Sequence, residues 1–303
     1  MYPFIDKIVR FYNGAVTRSA IVYGNVYDSY YDYEKYTPLI PFLLHRTQTD
    51  NLIQLVYELN GPIRVAEESK RERLRDAWVA WKSGVKDVND LIIKEMREKG
   101  PSKVEALRNK FDRHMMDAIG NPTTALEFLR QLTYVSRSTL KEDLFIIVEA
   151  ADMLLPTGNG DVASLKDHHL RRISIMQDWF SEPAFMSGGD MVLLLAESPS
   201  LIHPRVSKLP QVLSVEVASP NEGVRRHFLE WFCTKEMGSD PKKWTLSKRV
   251  SETGPTVRIE SWTLEELSVL TAGLSIHALR QLLAETLHDN SVLSTDRLIE
   301  KVE

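Results

Sequence analysis

Residues 144–156 read Leu144-Phe145-Ile146-Ile147-Val148-Glu149-Ala150-Ala151-Asp152-Met153-Leu154-Leu155-Pro156, and residues 191–204 read Met191-Val192-Leu193-Leu194-Leu195-Ala196-Glu197-Ser198-Pro199-Ser200-Leu201-Ile202-His203-Pro204. In both, an apolar run without polar alternation gives way abruptly to acids, serines and prolines. A strand that is apolar on both faces is covered on both faces, which a parallel sheet flanked by helices provides. Three further runs, Ala20–Gly24, Leu52–Leu59 and Leu213–Ala218, have the length and β-branched content of strands. The expected fold is α/β, a three-layer αβα arrangement around a parallel five-stranded sheet.

The segments between and after these runs read as helices. Thr37-Pro38 opens Leu39–Arg46, with proline in the first turn. A long stretch, about 69–137, carries apolar residues at helical spacing (Leu74, Trp78, Trp81; Leu91, Ile92, Met96; Leu126, Leu129, Leu132). Gly84, Gly100-Pro101 and Asn121-Pro122 divide it into several helices. After Ala218 the period becomes helical and stays so. Ser219-Pro220-Asn221-Glu222 reads as a capping box ahead of Val224, Phe228, Leu229 and Phe232, and Thr263 to Glu266 as a second one. Thr234–Pro255 reads as a loop, Ser275 starts another helix, and Ser294 or Thr295 a last one. The division expected is 1–218, an α/β core with a helical insertion, and 219–303, a helical unit. The sequence stops at Val302-Glu303 inside a helix barely begun, which predicts that the natural chain continues.

Composition narrows the function classes. The 303 residues carry 42 acidic and 38 basic side chains, a net charge of −4, which leaves no whole-chain electrostatic footprint for nucleic acid. The single cysteine, Cys233, excludes a disulfide framework and a thiolate metal cluster, fits a reducing compartment, and reads as a small buried apolar residue. No apolar run approaches the roughly 20 residues that span a bilayer, and Asp6, Lys7 and Arg10 interrupt the N-terminal stretch, so it is no signal peptide. A cytoplasmic protein without membrane contact is expected.

Open parallel sheets bind ligands beyond the carboxyl ends of their strands, and there the sequence resembles the AAA+ ATPases. L-F-I-I-V-E-A-A-D-M-L-L-P stands for their Walker B strand, and L-L-L-A-E-S-P-S-L-I-H-P-R-V for the sensor 1 strand. V-E-V-A-S-P-N-E-G-V-R-R-H-F-L is similar to the fifth strand with its following helix, and T-A-G-L-S-I-H-A-L-R-Q-L-L to the lid motif. The resemblance covers roughly Leu144 to Glu303. It implies a P-loop-NTPase-like core with strands one and four central, a C-terminal helical lid, and a hexameric ring as the homo-oligomer.

The departures from the family pattern bear on chemistry. No G-x-x-x-x-G-K-[S/T] segment exists to cradle phosphates with backbone N–H groups and a lysine. The first strand runs instead into Gly24-Asn25-Val26-Tyr27-Asp28. Glu149 stands for the magnesium-side aspartate, Ala150 for the water-activating carboxylate, and Ser198 for the sensor 1 asparagine. The resemblance thus implies a vestigial nucleotide site made of Gly24, Asn25, Asp28, Glu149, Asp152, Ser198 and His277. Arg205 and Lys208 are the only candidates near the position of the arginine fingers, at a subunit interface. No catalytic residue and no metal ligand is expected, and ATP or ADP with magnesium is not required. The function implied is a degenerate, non-hydrolysing assembly module, with hydrolysis supplied by another domain, such as a second AAA+ domain beyond residue 303. Two alternatives stay open at this point. One is an atypical ATP-binding enzyme with Gly24–Asp28 on the nucleotide and Glu149 on magnesium, and the other a clamp-loader-like scaffold subunit.

Several local patterns have two readings. Asp167-His168-His169 is similar to the signature of DHH phosphoesterases, but no D-x-D follows an early strand, so it reads as the polar start of a helix. Tyr23, Tyr27, Tyr30, Tyr31, Tyr33 and Tyr36 have the rings to stack on bases. The interleaved Asp28, Asp32 and Glu34 favour instead a loop that packs its aromatics. Glu149 and Asp152 read either as a carboxylate pair for acid/base work or as hydrogen-bonding partners of loop backbone. Gly158 to Gly160 and Gly188-Gly189 read as loop glycines, and the six tryptophans as core or interface anchors.

Overall fold

The computed structural model describes residues 2–98, 102–158, 165–232, 258–259, 264–288 and 292–293. The chain begins with α1 (Pro3–Asn13), β1 (Ser19–Gly24), the antiparallel hairpin β2 (Ser29–Asp32) and β3 (Lys35–Pro38), α2 (Leu39–Arg46), β4 (Leu52–Tyr57) and β5 (Ile63–Val65). The helices α3 (Glu68–Ser83), α4 (Val88–Glu98), α5 (Lys103–Asp117) and α6 (Pro122–Ser136) lead to β6 (Asp143–Val148). Then come α7 (Ala151–Leu154), α8 (Asp167–Ser181), α9 (Pro183–Met186), β7 (Met191–Ala196), α10 (Pro204–Ser207) and β8 (Val212–Val217). The last described elements are α11 (Glu222–Trp231), β9 (Arg258–Ile259), α12 (Leu264–Leu270), α13 (Ile276–His288) and β10 (Val292–Leu293).

The central sheet has the order β5-β4-β6-β7-β1-β8. Its five parallel strands are the five expected runs, each within two residues of the expected ends. The sheet nevertheless has six strands rather than five, because β5 pairs antiparallel with β4 at the edge. Ile63-Arg64-Val65 is too short to show a period, and only Ile63 is buried. Ile21, Ile53, Leu55, Tyr57, Leu144, Ile146, Val148, Val192 and Leu194 join one core with Leu74, Trp78, Phe111, Leu129, Met176 and Trp179 of the later helices. Side chains alternate across a strand, so the equally buried Ala20, Val22, Phe145, Ile147, Leu193 and Leu195 face the opposite layer. That two-sided burial is why these strands read as unbroken apolar runs.

By its contacts the chain divides into two compact units: Met1–Val26 with Leu43–Val217, and Tyr27–Phe42 with Ala218–Glu303. In the first, the insertion is four helices, and the expected break at Gly100-Pro101 lies outside the described residues. Gly84 closes α3 in the left-handed region at φ 68°, and Pro122 opens α6. Arg71–Asp112 (2.7 Å) and Arg108–Asp76 (2.9 Å) tie α3 to α5, partly exposed pairs of small individual worth.

The tyrosine-rich stretch, expected as a loop, is the β2–β3 hairpin of the second unit. Tyr36 is buried in a core with Phe228, Leu229, Phe232, Leu267, Ile276, Leu279, Leu282 and Leu283. Its hydroxyl lies 2.7 Å from His227 Nδ1, and Trp231 Nε1 donates to the Glu34 carbonyl at 2.8 Å. The helix after β8 is capped by Asn221, whose side chain accepts the Val224 amide at 2.9 Å. The expected capping box placed that role on Ser219. Cys233, the stretch 234–255, Trp244, Trp262, Thr263, Ser294, Thr295 and Gly160 lie outside the described residues.

Candidate functional site

The exit from β1 decides what the sheet edge of the first unit can bind. The Gly24 amide donates to the Glu197 carbonyl at 3.2 Å, the Asn25 amide to the Val217 carbonyl at 2.9 Å, and the Val26 amide to the Gly24 carbonyl at 2.8 Å. A phosphate cradle is built from successive N–H groups that point at the anion. Here three in a row point at protein carbonyls. Gly24 sits at φ +97°, and a Cβ on it would stand 2.8 Å from the Val217 oxygen. The glycine is there for close approach of β1 to β8.

Beyond β6, the Glu149 amide extends the ladder to β4 by donating to the Tyr57 carbonyl at 2.9 Å. Burial pushes the Glu149 carboxyl above the usual carboxylate range, and Glu58 adds to that, while Arg64 opposes it. Arg64 itself is paired with Glu58 at 2.6 Å. Ala150 adopts the left-handed region (φ 49°, ψ 45°), a strain of about 1–2 kcal/mol for a residue with a Cβ. Its methyl group stands where the resemblance implies a water-activating carboxylate, and it accepts no proton. Asp152 accepts the Met153 amide at 3.0 Å through one oxygen and the Glu197 amide at 3.1 Å through the other. Glu149 and Asp152 are thus two carboxyls with different surroundings, the second tethering the β6 turn to the end of β7.

Ser198 caps the 3-10 turn Pro199–Leu201 by accepting the Ser200 amide at 3.3 Å, and its hydroxyl lies 2.8 Å from the Ser200 hydroxyl. His203 is buried, and burial pulls its pKa down. Its Nδ1 accepts the Arg205 amide at 3.2 Å, as a neutral ring can. Arg205, on α10, and Lys208, just after it, are exposed.

Of the expected site residues, Gly24, Asn25, Glu149, Asp152 and Ser198 lie at the carboxyl ends of the parallel strands in the first unit. Asp28 and His277 lie in the second unit. There Asp28, buried at 3% exposure, accepts the Ile276 amide at 3.0 Å and the His277 amide at 2.8 Å. The His277 side chain is exposed. Sequence reasoning missed Glu197, which takes part through its backbone alone and so leaves no signal. Asp167-His168-His169 starts α8, with the two histidine rings 4.2 Å apart. Among the described residues no group of three or more His, Cys, Asp or Glu could hold a metal ion, and no helix is long and apolar enough to cross a membrane.

A mostly parallel sheet ordered β8-β1-β7-β6-β4, with helices on both faces and Walker B-like and sensor-like strand ends, defines a Rossmann-like domain of the AAA+ type. A family model described as the AAA+ chaperone N-terminal Rossmann-like domain matches residues 1–218, and the chain belongs to that family. Comparison with curated proteins finds no match. Among solved structures the chain is similar to one from E. coli MS115-1 described as the structure of a HORMA:CdnC:Trip13 complex. That likeness has 14% identity and a TM-score of 0.40, and covers 61% of this chain and 58% of that one. The match thus spans less than two thirds of the neighbour's length.

Proposed function

We propose that this chain is a degenerate AAA+ domain that does not hydrolyse ATP and serves as an assembly module, with the second unit as its lid. The observation that carries this reading is the β1 exit, where the amides of Gly24, Asn25 and Val26 are all hydrogen-bonded to carbonyls. The remaining parts agree with it. Ala150 replaces the residue that would activate water, both Asp152 oxygens accept backbone amides, and burial raises the Glu149 pKa. The residues present therefore do not fit a magnesium nucleotide, and no step is routed through one. That disfavours an atypical ATP-dependent enzyme.

The exposed Arg205 and Lys208 belong, in this reading, to the contact between neighbouring copies in a ring of the family type. Hydrolysis would come from another AAA+ domain. The test is phosphate release from ATP with magnesium at micromolar protein. The expected result is no turnover above the protein-free rate. Turnover that a Glu149→Ala substitution abolishes overturns the reading.

A further inference from the structure

The amino end of the first unit's sheet, opposite the β1 exit, carries a pair of acids. Strands β6 and β7 run parallel with Phe145 opposite Met191, which sets Asp143 and Asp190 close together where the two strands begin. The contacts agree. Asp190 is 1% exposed, and its Oδ1 accepts the amide of Leu144, the residue after Asp143, at 2.8 Å. Asp143 in turn lies on Gly189, the residue before Asp190. A Cβ at position 189 would overlap the Asp143 carboxyl carbon and both its oxygens. The missing side chain leaves room for the two acids to stand together.

The hydroxyl beside Asp190 has one hydrogen for two acceptors. Ser136 Oγ, at the end of α6, lies 2.6 Å from Asp190 Oδ2 and 3.0 Å from the Thr133 carbonyl. With Asp190 ionised, only one of these bonds can form. With Asp190 protonated both form, because the carboxyl donates to Ser136 and Ser136 donates to Thr133.

The surrounding charges do not offset an ionised pair. The Tyr12 hydroxyl, at the end of α1, donates to Asp143 Oδ2 at 3.1 Å. Burial first, and Asp143 next, push the Tyr12 pKa up to about 12, so it stays a neutral donor. Arg18, ahead of β1, donates to the Tyr12 carbonyl at 3.3 Å and lies over the Tyr12 ring. Arg137 donates to Glu182 at 3.4 Å, and Glu142, beside Asp143, is paired with Arg73 at 3.0 Å. Among the described residues neither Asp143 nor Asp190 has an ion pair. A buried carboxyl in that position keeps its proton toward neutral pH. For Asp190 burial is the larger cause and Asp143 adds to it, against the Ser136 and Leu144 hydrogen bonds and Arg137.

We propose that Asp143 and Asp190 form a proton-operated latch, closed while Asp190 is protonated, that holds the last turns of α1 and α6 to the beginning of β6. Ionisation puts a second charge beside Asp143, and water reaches Asp190 only when the strand ends part. The closed seam therefore holds the proton more tightly than the open one. Its advantage is full below about pH 4 and is lost as pH rises through about 6.

The test is amide hydrogen exchange of the full chain at pH 4.5 and pH 7.5, corrected for the intrinsic rate. In wild type, protection at Asp143 and Leu144 should fall about twentyfold over this range. It should also stay below that of the central strand β1, so that the seam opens without unfolding of the unit. Asp190→Asn should lose the pH dependence. Asp143→Asn, which keeps an acceptor for Tyr12, should move the midpoint of the fall to lower pH. Wild-type protection at these amides that ignores pH, or equals that of β1 at both pH values, overturns the proposal whether or not the variants fold. An Asp143→Asn midpoint that stays in place overturns it too.

Discussion

The carboxylate of Asp28 accepts the backbone amide of His277 at 2.8 Å, and its other oxygen the amide of Ile276 at 3.0 Å. Two residues that the family resemblance assigns to a vestigial nucleotide site are thus partners in capping α13. A carboxylate there meets both the orphan amides and the positive end of the helix dipole. The Ser275 hydroxyl accepts the Ala278 amide at 3.0 Å and completes the cap.

Replacing Asp28 with alanine should therefore destabilise the second unit by about 2 kcal/mol, while asparagine, which keeps one acceptor, should cost less. Amide hydrogen exchange along Ile276–His288 measures this directly. The alanine variant should lose protection first in the leading turn of α13.

Gly24→Ala should destabilise the first unit by about 1–3 kcal/mol, since φ is +97° and the new Cβ would meet the Val217 oxygen. Urea denaturation checks it. An unchanged midpoint would mean that β1 and β8 separate at that point without cost.

Asp190 gives the fold a pH dependence. Its carboxylate accepts the Ser136 hydroxyl at 2.6 Å and the Leu144 amide at 2.8 Å. Burial outweighs both, and with Asp143 adding to it against Arg137, the pKa rises from 3.8 to about 6. As pH rises, the unfolded chain releases this proton first. The contribution of Asp190 to stability is full below about pH 4, falls between about 4 and 6, and stays lost above. The difference is about 3 kcal/mol. Asp190→Asn keeps a carbonyl for Leu144 and an amide for the Ser136 oxygen. The wild-type stability minus that of the variant, from urea melts at pH 4 and pH 7, should fall by that amount.

Ala150→Glu returns a carboxylate to the end of β6. No ATP turnover should appear in a phosphate-release assay, because the amides after β1 still donate to Glu197, Val217 and Gly24. Measurable turnover would make Ala150 the sole lesion.

The five parallel strands were legible because each is buried on both faces, so its hydrophobic run has no gaps. Leu39–Arg46 and the breaks at Gly84 and Pro122 were legible because proline and glycine act locally. The β2–β3 hairpin was not. Tyr30 and Asp32 are buried and Tyr31 half-buried, but what fixes Tyr36 is His227, Phe228 and Trp231, far along the chain. For the same reason the Asp28 cap, 248 residues from Ile276, has no local signature. At the sheet edge Gly24, Glu149, Asp152 and Ser198, singled out because they follow apolar runs, lie at or just beyond the ends of β1, β6 and β7. The sequence left open that Asp152 accepts a Glu197 amide, because any residue supplies that amide.

The central claim is that the β1 exit holds no phosphate. Calorimetric titration of the chain with ATP, with and without magnesium, tests it most directly. The account predicts no saturable heat that depends on Glu149 or on magnesium. Micromolar binding with magnesium, lost in Glu149→Ala, would contradict it and make Gly24–Asp28 a working nucleotide loop.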